Sequence, residues 1–178
     1  MNTPLNYFAT LLEYPSDGVE EVKNIATKLI HSLEAMGPEG QLSANSVRAF
    51  SDRISLLSTE TLEETYTSTF ELNPVSYLYA GFLLFGESYK RGALLVELKR
   101  KLIEHGVEIG TEVPDFIPTL LRLLGSSSLA TSDAQELQIL CLYPALCKIV
   151  EGSKNHENPY SSLLIATKDF LVTKEATL

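Results

Sequence analysis

The sequence predicts an all-α protein, a single-domain bundle of roughly eight helices spanning residues 1–178. Three observations carry that prediction. Apolar residues recur every three or four positions along most of the chain, residues that start and stop helices punctuate them, and hairpin dipeptides are nearly absent. Composition agrees, because 44% hydrophobic and 21% charged residues suit a packed core.

Each helix has its own signal. Thr3 and Pro4 offer an N-cap and a first-turn proline before Leu5, Phe8, Leu11 and Leu12. Asp17-x-x-Glu20 has capping-box spacing ahead of Val22, Ile25, Leu29 and Leu33, and Gly37 lies just past the end. Met36 to Leu42 reads as a loose linker, after which Ser43 caps a helix carrying Val47, Phe50, Ile54 and Leu57. Thr65, Thr67 and Thr69 alternate with Tyr66 and Phe70, a two-residue period. Helix is the better reading there, because a lone strand leaves its backbone without partners.

Pro74 and Ser76 open an apolar segment to Phe85, and Leu94, Leu95, Leu98 and Leu102 mark an amphipathic helix stopped at Gly106. Asp115 is positioned to cap a short helix through Leu120, Leu121 and Leu124, closed by Gly125. Beyond a second linker, Ser126 to Ser132, Ser132-x-x-Gln135 starts a helix with Leu137, Leu140, Cys141 and Ile149, which Pro144 interrupts. Asn158 and Pro159 begin the last helix, with Leu163, Leu164, Phe170 and Leu171.

Charge is distributed unevenly. From Ile54 to Tyr89 there are 36 residues without Lys, Arg or His but with five glutamates and many aromatics. Leu102 to Leu121 is a second basic-free stretch, holding Glu104, Glu108, Glu112 and Asp115 against His105 alone. With a net charge of −9, this pattern suits a cationic, partly apolar partner such as a basic peptide. It does not suit a nucleic acid or an anionic bilayer. The Lys99–Arg100–Lys101 run, with Lys90 and Arg91 before it, reads as the solvated face opposite a leucine stripe.

Catalytic chemistry finds little support. His31, His105 and His156 are scattered, and no metal-binding, nucleophile-elbow or phosphate-loop pattern occurs. Glu60 and Glu64 share a helical face but lack a histidine partner. Cys141 and Cys147 lie six residues apart on one helix, about 600° of rotation, so their thiols face different ways and read as free. Free thiols fit a reducing cytoplasm. The N-terminus lacks the basic residues of a secretory signal, and the longest apolar stretch is far short of the ~20 residues a membrane span needs, so a cytoplasmic location without stable membrane insertion is expected.

Two loops have unusual chemistry, Glu71-Leu72-Asn73-Pro74 and Val113-Pro114-Asp115-Phe116-Ile117-Pro118, where prolines stiffen the backbone around acids and aromatics. Here the chain resembles the nitrate reductase delta-subunit branch of the TorD-like redox-enzyme maturation chaperones. The resemblance rests on Tyr66-x-x-Thr69-Phe70-Glu71-Leu72-Asn73-Pro74, Leu78-Tyr79, Leu84-Phe85-Gly86-Glu87, Arg91-Gly92 and the Pro114 loop, in that order, and on Leu11-Leu12-x-Tyr14-Pro15. Its motif-bearing part covers about residues 62 to 124. Phe116 stands where the family usually has histidine, so no role of that imidazole carries over.

The resemblance implies a non-enzymatic chaperone with no cofactor of its own. Its partner would be the N-terminal segment, often a twin-arginine leader, of a molybdopterin oxidoreductase catalytic subunit. Pairing of two copies of the chain stays open. The expected peptide-binding residues are Tyr66, Phe70, Asn73, Pro74 and Tyr77 from the first loop region, Glu87 and Arg91 beyond it, and Pro114, Asp115 and Phe116 from the second. Asp115 and nearby glutamates are expected to engage the arginines, Asp115 more strongly than Glu108 or Glu112, and Tyr77 and Phe116 the apolar residues. The competing readings are a permanent helical subunit of a redox complex and a small-ligand-binding helical domain.

Overall fold

The apolar period resolves into helices throughout. The computed structural model describes residues 3–153 and 157–175, with side chains through residue 172. In it α1 spans Pro4–Leu11, α2 Gly18–Glu34, α3 Pro38–Ile54, α4 Thr59–Phe70 and α5 Ala80–Phe85. α6 follows at Tyr89–Glu104, α7 at Ile117–Leu124, α8 at Thr131–Leu137, α9 at Tyr143–Gly152 and α10 at Pro159–Glu175. A 3₁₀ turn covers Pro74–Ser76, and a π-helical turn at Gln138–Leu142 joins α8 to α9 in one continuous rod. Among the described residues there is no strand, only an isolated antiparallel bridge between Tyr79 and Phe116. His156 lies outside the described residues.

α3 packs between α2 and α10, while α1 lies against α2 and α7. The shared core includes the fully buried Phe8, Leu12, Leu29, Leu33, Phe50, Ile54 and Leu62. An aromatic chain crosses it. Tyr14 meets Tyr66 edge-on at 5.5 Å, Tyr66 meets Tyr160 at 5.6 Å, and Tyr160 meets Phe50 at 5.5 Å. Tyr66 is only 4% exposed, and its hydroxyl donates to the Leu12 carbonyl at 3.1 Å, tying α4 to α1. The alternating threonines near Tyr66 are therefore helical, and Thr65 and Thr69 hydroxyls donate to carbonyls four residues back.

Several helix starts differ from expectation, and at α3 and α7 a proline in the first turn stands in for the side-chain cap. α3 begins at Pro38, not after Ser43, so most of the expected linker is helix and Ser43 is buried inside it. α8 begins at Thr131 behind Ala130, and Ser132 caps nothing. α7 begins at Ile117 with Pro118 in its first turn, and the Asp115 side chain is committed elsewhere. Ser58, by contrast, caps α4 by accepting from the Thr61 N–H.

Pro144 breaks the α-helical pattern as expected, through the wide π-helical turn just before it, without ending the rod. Lacking an N–H, Pro144 cannot donate back to the preceding turn. The extra residue shifts the buried face, so Cys141 is buried while Leu140 is 64% exposed. Cys141 and the half-buried Cys147 are both free thiols, and burial, helped by the Asp115 charge, pushes the Cys141 thiol up to about 12.

Candidate functional site

The two basic-free stretches meet in the fold. The Ala80 N–H donates to the Asp115 carbonyl and the Ile117 N–H to the Leu78 carbonyl, both at 2.8 Å, which joins the segment after α4 to the segment before α7. Around this seam lie three adjoining cavities that together form a groove. The largest, about 620 Å³, lies under the Gly106–Glu112 loop and is lined by Glu13, Phe116, Thr119 and Arg122. It shares Glu13, Glu112 and Phe116 with a cavity of about 270 Å³ floored by Tyr66, Phe70, Leu78 and Tyr79. Tyr14 then leads into a third, of about 380 Å³, bounded by Glu60, Glu63, Glu64 and Leu72.

The lining has one sign of charge. Seven glutamates (13, 60, 63, 64, 71, 108 and 112) face one basic residue, Arg122. Apolar and aromatic surface lies between them: Tyr14 is 45% exposed and Leu72 73%. Carboxylates beside exposed ring faces are the two groups that hold a guanidinium, by forked hydrogen bonds and by stacking. Tyr79 donates its hydroxyl to Glu112 Oε2 at 2.7 Å. Its ring packs on Phe116 at 5.6 Å, fixing the groove's middle.

Burial, then the hydrogen bond and charge of Glu112, push the Tyr79 phenol up to about 12. A tyrosine in the unfolded chain ionises near pH 10. The neutral Tyr79 therefore contributes stability that is fully present below about pH 10 and is lost as pH rises through its folded value. The destabilisation caused by Tyr79→Phe should accordingly shrink between roughly pH 10 and pH 12 in chemical denaturation. A gap that stays constant would exclude the linkage. Tyr14 is also raised, by partial desolvation first and the Glu63 carboxylate second.

Of the ten expected peptide-binding residues, Tyr66, Phe70 and Phe116 line the groove, and none of the three is more than 8% exposed, so they form its floor. Asn73 and Pro74 sit in the exposed turn just past Glu71 and Leu72, with the Asn73 amide donating to Ser76 at 3.4 Å. Glu87 is exposed next to Ser88, which caps α6, and Pro114 is half-buried.

Asp115 requires a correction. Its side chain is 0% exposed, and both oxygens accept from Arg91, Oδ2 from Nε at 2.9 Å and Oδ1 from Nη2 at 3.3 Å. It holds a guanidinium, but one from its own chain, and it is not open to a ligand. Arg91 is corrected with it: instead of lying on a solvated face, its side chain is 19% exposed and stacks 5.5 Å from the Phe82 ring. Tyr77 packs on the other side of this cluster, 5.6 Å from Phe82. Gly81 makes room for the pair, since a Cβ there would stand 2.8 Å from Asp115 Oδ2. Asp115, Arg91 and Tyr77 thus form the structural support behind the groove.

Glu13, Tyr14, Tyr79, Glu112 and Arg122 were not among the expected site residues. Glu13 and Tyr14 fall within the Leu11-to-Pro15 motif, and Arg122 is the one charged residue of α7. Both facts are legible, but neither indicates which distant residue comes alongside. Compared with known protein families and with curated proteins, the chain matches neither a family model nor an individual sequence. Among the described residues there is no cluster of three or more potential metal ligands, and no helix long and apolar enough to cross a membrane.

Proposed function

We propose that this protein is a binding protein without catalytic activity, a chaperone that captures a cationic, partly apolar peptide segment in the groove. The segment we assign is the N-terminal, twin-arginine-type region of a molybdopterin oxidoreductase catalytic subunit, held in the cytoplasm while cofactor is inserted and subunits assemble. The observation that carries the reading is the groove itself, with seven glutamates set around exposed Tyr14 and Leu72. The motif resemblance supplies the identity of the client. In this reading, arginines dock on the groove carboxylates and against Tyr14, while neighbouring apolar residues cover Leu72 and the Tyr79–Phe116 seam.

Calorimetry of the full chain with a synthetic peptide tests it, using two adjacent arginines flanked by leucine and phenylalanine. Tyr14→Ala should weaken binding about tenfold, the scale of one desolvated cation–π contact. Replacing both peptide arginines by glutamine should abolish it, and raising salt should weaken it. Equal affinity for the arginine and glutamine peptides would refute the reading.

A permanent helical subunit of a redox complex is the second reading. The outer face of α6 favours it, with Tyr89, Val96 and Ile103 each at least 66% exposed at seven-residue spacing. Stoichiometric co-purification with the mature, active oxidoreductase would decide for that role.

A further inference from the structure

Glu13 stands where the 620 Å³ and 270 Å³ parts of the groove meet, and it is already occupied. Arg122 Nη1 donates to Glu13 Oε1 and Nη2 to Oε2, each at 2.6 Å, a forked pair between residues 109 apart. Both side chains are about one-third exposed, at 32% and 36%, so the pair is in the groove and not in the core. The rest of α7 is buried and apolar but for Thr119, and Arg122 lies in its last turn, where the helix dipole also favours a cation. Two further carboxylates, Glu108 and Glu112, line the same cavity as Arg122.

The geometry points to Arg122 as an internal stand-in for the ligand. Its guanidinium holds Glu13 as an arginine of the bound segment would, and ligand binding exchanges one fork for the other. This rests on the groove taking a cationic segment. In the exchange Glu13 gives up two hydrogen bonds from Arg122 and accepts two from the incoming guanidinium, while the Arg122 guanidinium turns towards Glu108 and Glu112. Two consequences follow. Affinity is moderated, because an ion pair is replaced and not added. Selectivity is sharpened, because a lysine ammonium cannot replace both bonds of a planar fork. Arg122 is therefore a specificity-determining residue, and Glu13 is the carboxylate it guards.

The test uses the full chain, as wild type, Arg122→Gln, Arg122→Met and Glu13→Gln, with the two-arginine peptide and its two-lysine counterpart. Arg122→Gln should bind the arginine peptide about fivefold more tightly than wild type, the scale of an exposed to half-buried ion pair. Its preference for arginine over lysine should narrow. Arg122→Met, which keeps the packing stem but loses the fork, should change affinity in the same direction, and it serves if the glutamine variant folds poorly. Glu13→Gln should weaken binding. Unchanged or weaker binding by both Arg122 variants, with wild type still binding, would overturn the stand-in role and leave the groove reading intact. Absence of binding by wild type and variants alike would overturn both.

Discussion

Asp115→Ala is expected to lower the folding stability by about 3–5 kcal/mol, the cost of leaving one member of a buried ion pair without its partner. The Arg91 side chain, 19% exposed and wedged between Phe82 and Gly81, cannot turn fully to water. Urea denaturation of wild type and variant measures the loss directly. The double variant Arg91→Met with Asp115→Leu should recover much of it, since apolar replacement of both members removes the orphaned charge. A loss below about 1 kcal/mol would show that the pair contributes little, as exposed pairs do. The result also bears on function, because weakened peptide binding by Asp115→Ala would follow from a displaced α6 and α7 and not from a lost ligand contact.

Gly40→Ala is expected to have the second large effect, about 3 kcal/mol. A methyl carbon at Gly40 would fall inside the van der Waals envelope of the Leu33 carbonyl oxygen, which is backbone and cannot swing away. α2 and α3 would have to separate, and α3 carries Phe50, Ile54 and Val47 into the core beside α10. Thermal unfolding should shift down by roughly 6–12 °C for that loss in a domain of this size. Gly92→Ala is the matched control. A Cβ there meets nothing within 4 Å on an exposed helical turn, so alanine should raise stability by about 0.5–1 kcal/mol. A Gly40→Ala protein as stable as wild type would mean the close approach is not needed.

These two cases mark how far sequence reasoning reached. Helix identity was legible because it depends on local periodicity, and the segment around Tyr66 is helical as expected despite its alternating threonines. Helix starts were less so, since Pro38 and Pro118 pre-set the backbone and made caps at Ser43 and Asp115 unnecessary. Gly40 read as one more linker residue, because nothing local reveals that another helix's carbonyl lies against it. The acidic character of the groove was readable from the two basic-free stretches, but its geometry was not. Asp115 lies 24 residues from Arg91 and Glu13 lies 109 from Arg122, and no spacing rule links residues so far apart. Hence Asp115, the carboxylate given the main role from sequence, is the buried one, while Glu13 at the centre of the groove was found only in three dimensions.

The ring chain from Tyr14 through Tyr66 and Tyr160 to Phe50 has an optical consequence. With eight tyrosines and no tryptophan, all the near-ultraviolet emission of this protein is phenolic. Excitation absorbed by the two interior phenols can hop outward to the one at the rim. A guest carrying a single indole would there become the sole energy sink, so the molecule contains its own donor array for reporting what it holds.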